Sequence, residues 1–277
     1  MSVVSSTEQE LIDQVLTQVG SIRLSIDELV TLSSDLDLTE PLGGDLGIPS
    51  GTIEQEGARR SLLSKQFLVE GQGGGLELQP WFTLLADAVA EPLLVVRMRR
   101  AYLDHYFEWT VFLDGRLGVQ QQVGSDGIVT WAPFGAEQLV DIMFDALEVG
   151  HTSDPQFGSF ASTIGELTEW ESADPDLMHD SIAAEEYCRG LRSPQRTTSM
   201  VVVIDKTAGD IASSRDLAWL NLGDEGCWLL RCQDEGVPQA SSSVDVERVG
   251  SRRLAEEVLS LLPLDASEVM RLAARAR

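Results

Sequence analysis

VTWAPFGAEQLVDIMFDAL, residues 129–147, leaves a strand-like run through a glycine and enters an amphipathic helix. VDVERVGSRRLAEEVLSLL, residues 244–262, does the same. Gly135 aligns with Gly250, and Leu139, Met143 and Leu147 align with Leu254, Val258 and Leu262 at one constant offset. Ahead of each stretch lie short runs rich in β-branched and aromatic residues. They cover 93–102, 106–114, 117–123 and 127–134 in the first set, and 197–205, 215–222, 226–234 and 242–249 in the second. Asp114-Gly115 and Ser125-Asp126-Gly127 mark tight hairpin turns, so the first set reads as an antiparallel meander. Helices, four strands and a helix thus occur twice, which predicts a duplicated α+β unit.

The expected fold is a single α+β domain of two similar halves, about 1–150 and 151–277. Each half is a four-stranded antiparallel sheet with flanking helices. Joining the sheets side by side about a quasi-twofold axis would remove two exposed edges. It would also leave helices over one face and part of the other face open to a partner.

The first helices read clearly. Leu11, Val15 and Val19 recur at fourfold spacing in 7–19. Ser25 with Glu28 forms a capping box, and Thr52 with Gln55 repeats it before a helix running to about Phe67. Residues 38–51 read as a loop. A short strand, a glycine turn at 71–75, a second strand and a helix with Pro80 in its first turn follow. Helix, hairpin and helix resemble part of a winged helix, but the hairpin carries Glu70 and Glu77, and only Arg59, Arg60 and Lys65 precede it. DNA binding is therefore not expected. In the second half, 149–159 reads as a connector and 163–171 as a helix. A helix over 175–191 starts at Asp174-Pro175. A last helix over 265–276 starts at Asp265 with Glu268.

The formal net charge is −25. Such a field repels nucleic acid and anionic lipid and favours a basic or neutral partner. Cys188, Cys227 and Cys232 are odd in number and show no metal-knuckle spacing, which fits reduced thiols. Residues 1–20 lack the pattern of a signal peptide, and no run approaches a membrane span. The expectation is a soluble cytoplasmic protein without membrane insertion.

Catalytic sets are sparse. His105, His151 and His179 form no His-x-x-x-His pattern, so no metal site is expected. The glycine-rich 71–77 lacks the Lys-Ser/Thr of a phosphate loop and leads into a strand, so no nucleotide cofactor is expected. Cys227 and Cys232 point to opposite faces of one strand. The glutamates around Cys188 should raise its pKa. Among the tryptophans, Trp109 lies on the inward face of 106–114 with Phe107, Val111 and Leu113. Trp219 and Trp228 are the better candidates for a face that meets a partner, since tryptophan is favoured in interface cores.

LSIDELVTLSSDLDLTEPLGGDLG (24–47) and ARRSLLSKQFLVEGQGGGLELQPWFTLLADAVAEP (58–92) resemble the opening pattern of the EspG family, and the two strand runs with their exit helices continue the likeness over nearly the whole chain. KQFLV (65–69) departs from that family's Arg-Gly-Leu-like step. The resemblance implies a cytosolic, non-catalytic chaperone of type VII (ESX) secretion with an α+β fold of quasi-twofold symmetry. Its partner would be a helical PE/PPE-like secretion substrate, bound at a helical tip. An apolar groove or sheet face with a charged rim suits that role. Two other readings stand beside it. An acidic regulator would bind a basic protein partner in a salt-sensitive way. An enzyme would need distant residues, such as Glu28 or His105 with Asp104, to meet in a polar pocket.

Overall fold

The structure, a computed structural model, describes residues 6–36, 38, 42, 54–71, 75–102, 105–115, 117–149, 158–172, 181–207, 210–222, 226–233 and 239–264. The expected caps at Thr52, Asp174-Pro175 and Asp265, the connector over 150–157 and the helix over 265–276 lie outside these residues.

The helices are α1 (Ser6–Gln18), α2 (Ile26–Asp35), α3 (Gln55–Ser64), α4 (Pro80–Ala90), α5 (Leu139–Leu147), α6 (Ile164–Ser172), α7 (Ile182–Gly190) and α8 (Ser251–Ser260). The strands are β1 (Ile22–Ser25), β2 (Leu68–Glu70), β3 (Leu76–Leu78), β4 (Leu94–Tyr102), β5 (His105–Leu113), β6 (Leu117–Val123), β7 (Ile128–Gly135), β8 (Ser159–Thr163), β9 (Thr197–Thr207), β10 (Asp210–Asn221), β11 (Cys227–Cys232) and β12 (Ser243–Val249). Hydrogen-bonded neighbours follow the order β1-β7-β6-β5-β4-β9-β10-β11-β12-β8, and β2-β3 form a separate hairpin. The fold is therefore α+β, built on a large antiparallel sheet with flanking helices.

Two of these strands differ from the sequence reading. Residues 22–24 of β1 and 160–162 of β8 fall between the elements expected from the sequence. Each is short and runs straight into a helix through a capping box. Ser25 Oγ accepts from the Glu28 amide at 3.2 Å while Glu28 accepts from the Ser25 amide at 2.7 Å. Thr163 and Glu166 repeat this, at 3.2 and 3.0 Å. One residue thus ends the strand and caps the helix.

The chain divides into two compact units. One comprises Met1–Val96, Trp109–Leu139 and Ile204–Ser213. In it, one sheet face presents Ile22, Leu24, Phe112, Val119, Val129 and Trp131 to Val15, Leu29, Leu32, Leu62, Phe82 and Leu85 of α1–α4. Phe67 stacks on Phe82 at 4.8 Å, and Phe82 lies over Trp131 at 6.1 Å. The basic residues near the hairpin are all engaged. Arg59 pairs with Asp35, Arg60 with Glu56, and Lys65 with Glu28 at 2.6 Å. Lys65 also donates to the Arg23 carbonyl at 3.1 Å. This joins α3 to β1 and α2.

The other unit comprises Arg97–Glu108, Val140–Val203 and Ser214–Arg277. Helices α6 and α7 cover one face of β8, β12, β11 and β10, where Trp228, Leu220, Val244 and Val246 pack with Tyr187, Cys188 and Leu167. Helix α8 lies on the opposite face. Its Glu257 pairs with Arg231 at 2.8 Å, and its Ser260 carbonyl accepts from Arg215 at 3.4 Å.

Candidate partner-binding surface

Pairing registers place four side chains in one row across the first unit. Trp109 faces Gln122, Gln122 faces Thr130, and Thr130 faces Arg23. Alternation puts them on the sheet face opposite α1–α4. None is buried: Trp109 and Thr130 are half-buried, and Gln122 and Arg23 are exposed. The Arg23 guanidinium lies 3.6 Å from Asp126 in the β6–β7 turn. A second row, Val111, Gln120 and Ala132, runs beside it. Gln120 and Ala132 are half-buried, and Val111 is buried. Further along, Gly118 leaves room for the Phe134 ring, which a Cβ there would meet at 2.1 Å. The result is a row with an aromatic side chain at its β5 end and amide, hydroxyl and guanidinium groups toward β1, beside a second row in which Val111 is already buried.

The opposite side of the same strands holds this surface rigid. Trp131 Nε1 donates to Gln121 Oε1 at 2.8 Å in the interior. The run Gln120-Gln121-Gln122 therefore divides between the core and the open face, with a role that spacing alone did not reveal. Satisfying a buried indole N–H avoids the cost of an orphaned donor and fixes the strand pair.

Trp219 and Trp228 lie elsewhere. Trp228 is 0% and Trp219 2% exposed. Trp228 sits among Phe160 and Tyr187, with the Arg248 guanidinium 5.7 Å from its ring, and Trp219 lies on the α8 side of β10. Both sheet faces carry helices here, so both tryptophans are interior, whereas Trp109 is half-buried. Its strand also corrects the expected inward row. Phe107 is exposed, Trp109 and Leu113 are half-buried, and Val111 and Phe112 are buried. The β5 interior therefore draws on both of its faces.

Glu28 serves the fold. It is 2% exposed. Burial works to raise its pKa, but the Lys65 ammonium and other donors outweigh that and hold it below the ordinary value. His105 is exposed, and Asp104, His151 and His179 lie outside the described residues. Burial pushes the Cys188 thiol up, with Arg192 opposing, so its neighbouring glutamates are not the cause. Burial pushes Cys227 up to about 12. Among the described residues no group of three His, Cys, Asp or Glu could hold a metal ion, and no helix is long and apolar enough to cross a membrane.

No family model matches the chain, and no curated protein matches it. Among solved structures it is similar to a chain in the structure of the Mycobacterium tuberculosis type VII secretion system chaperone EspG5 in complex with the PE25-PPE41 dimer. The identity is 12%, the match covers 88% of this chain and 97% of that one, and the TM-score is 0.55. The fold is EspG-like.

Proposed function

We propose that this protein is a non-catalytic, cytoplasmic chaperone that covers the apolar helical tip of a PE/PPE-like type VII secretion substrate. The observation that carries the reading is the EspG-like fold, matched over most of both chains, in a chain whose first unit sets half-buried Trp109 at one end of a polar row on the sheet face opposite α1–α4. An exposed apolar helix tip is prone to aggregate, and a rigid aromatic surface with a polar rim covers it without chemistry.

The same proposal includes descent from a duplicated unit, about 1–150 and 151–277. Three repeated features support it. The strand order β1-β7-β6-β5-β4 has its counterpart in β8-β12-β11-β10-β9. Ser25–Glu28 has its counterpart in Thr163–Glu166. Gly135 and Gly250 both stand, in extended conformation, at an exit from strand to helix.

The test is titration calorimetry with purified PE/PPE-type heterodimers. A stable complex is expected, and Trp109→Ala should weaken it about thirtyfold, the loss of one aromatic hot spot. A complex indifferent to Trp109→Ala would move the site off this face. No complex with any such heterodimer would overturn the chaperone reading.

A further inference from the structure

The structure assigns a second docking site to the edge strand β8: we propose that it pairs with an extended segment of a partner that carries lysine or arginine at alternate positions. The argument starts from the ladder. The Arg248 amide donates to the Gly158 carbonyl at 2.8 Å and the Ile164 amide to the Ser242 carbonyl at 3.1 Å. Both pairs fit the β8–β12 register, in which Phe160 faces Val246 and Ser162 faces Val244. Even-numbered residues therefore bond inward to β12. Antiparallel alternation turns the backbone groups of Ser159, Ala161 and Thr163 outward.

Glu166 already takes the outward amide of Thr163. The outward groups of Ser159 and Ala161 have no partner among the described residues. The corresponding strand β1 differs at this point. There the Ser25 amide is taken by Glu28 and the outward Arg23 carbonyl by Lys65. A lysine over an edge carbonyl is a common guard against strand addition. Strand β8 carries no lysine, arginine or proline.

Charge selects the occupant. Beside β8 lies a shallow basin of about 450 Å³, lined by Ser159, Ala161, Asp245, Glu247 and Arg231. The register sets Ala161 opposite Asp245 and Ser159 opposite Glu247, on one face. An added strand would lie two strand spacings, roughly 10 Å, from β12. The serine and alanine side chains between are small, so a long cationic side chain can lie over them toward Asp245 or Glu247. Arg231 offsets part of this charge through Glu247 at 2.7 Å and Glu257 at 2.8 Å. The chain's net charge of −25 adds a long-range pull on a basic segment. Backbone pairing gives affinity, and the alternating cations give register.

The test is calorimetric titration with a short acetylated peptide of alternating lysine and valine. Controls are the same peptide N-methylated at alternate amides, and a glutamate-valine peptide. Saturable binding is expected. N-methylation, the Asp245→Asn/Glu247→Gln double variant and Ala161→Lys should each weaken it about tenfold or more. Near-ultraviolet circular dichroism checks that both variants keep their packing, and Ser159→Lys replaces Ala161→Lys if that variant does not fold. Equal binding of the N-methylated peptide would reduce the interaction to charge alone and overturn the proposal. So would binding of the glutamate peptide, or no binding of the lysine peptide. The site is remote in sequence from Trp109 and its test uses no PE/PPE protein, so its failure and that of the chaperone reading are separately visible.

Discussion

Replacing Lys65 by methionine keeps the aliphatic stem and removes the ammonium. That group touches Glu28 Oε1 at 2.6 Å, Glu28 Oε2 at 2.7 Å and the Arg23 carbonyl at 3.1 Å. Glu28 is 2% exposed and the Lys65 side chain 36%. Breaking a fully buried pair from one side costs about 3–5 kcal/mol. Here the cation is partly solvated, and the carboxylate keeps its bond from the Ser25 amide at 2.7 Å. The expected loss at neutral pH is therefore about 2 kcal/mol. Glu28→Gln keeps an acceptor for the Ser25 amide and should cost about 1 kcal/mol. The double variant should cost less than the sum, because each change removes the same contact.

The sign of the pH dependence follows from Glu28. Its folded pKa is held below the ordinary value of a glutamate. The stability it contributes is therefore fully present above that value and is lost as pH falls through the lower folded pKa. Lys65→Met removes the main lowering influence and leaves burial to raise the folded pKa, so the acid loss contributed by Glu28 should shrink. Urea unfolding of the parent and the three variants across pH 3–7 reads both effects. A loss below about 0.5 kcal/mol with an unchanged acid limb would show that the pair does not tie α3 to β1, and would refute the reasoning.

Two further outcomes follow from the interior. Gln121→Leu leaves the Trp131 indole N–H without its partner and should cost about 1–3 kcal/mol, read by denaturant midpoint. In the native protein a thiol reagent at pH 8 should modify Cys232 alone among the three cysteines. Cys188 and Cys227 are buried with raised pKa values and should react only on unfolding, as quantitative thiol labelling will show.

The long strands were legible because their runs alternate and their turns carry Asp-Gly signals, as at Asp114-Gly115. The edge strands β1 and β8 were not. Four and five residues give too little periodicity, and Ser25 and Thr163 announce only the helix they cap. The site was legible in part. Trp109, Trp219 and Trp228 all read as strand tryptophans, but which face a helix covers depends on contacts distant in sequence. In β10 and β11 both faces are covered, so Trp219 and Trp228 are interior. The split of Gln120, Gln121 and Gln122 between face and core appears only once β6 is paired with β7. The β8 edge was invisible, because an outward amide is a property of the ladder and not of the residue.

Glu166 deserves a kinetic and informational reading as well. By occupying the Thr163 amide it closes one end of the open edge and leaves two consecutive outward positions, Ser159 and Ala161. A guest strand then has a fixed stop. Sliding by one residue would turn every side chain to the wrong face. The capping carboxylate thereby acts as a ruler: it caps the number of backbone bonds a guest can gain, and so favours rapid exchange over tight capture, while dictating which guest residue stands opposite which host residue.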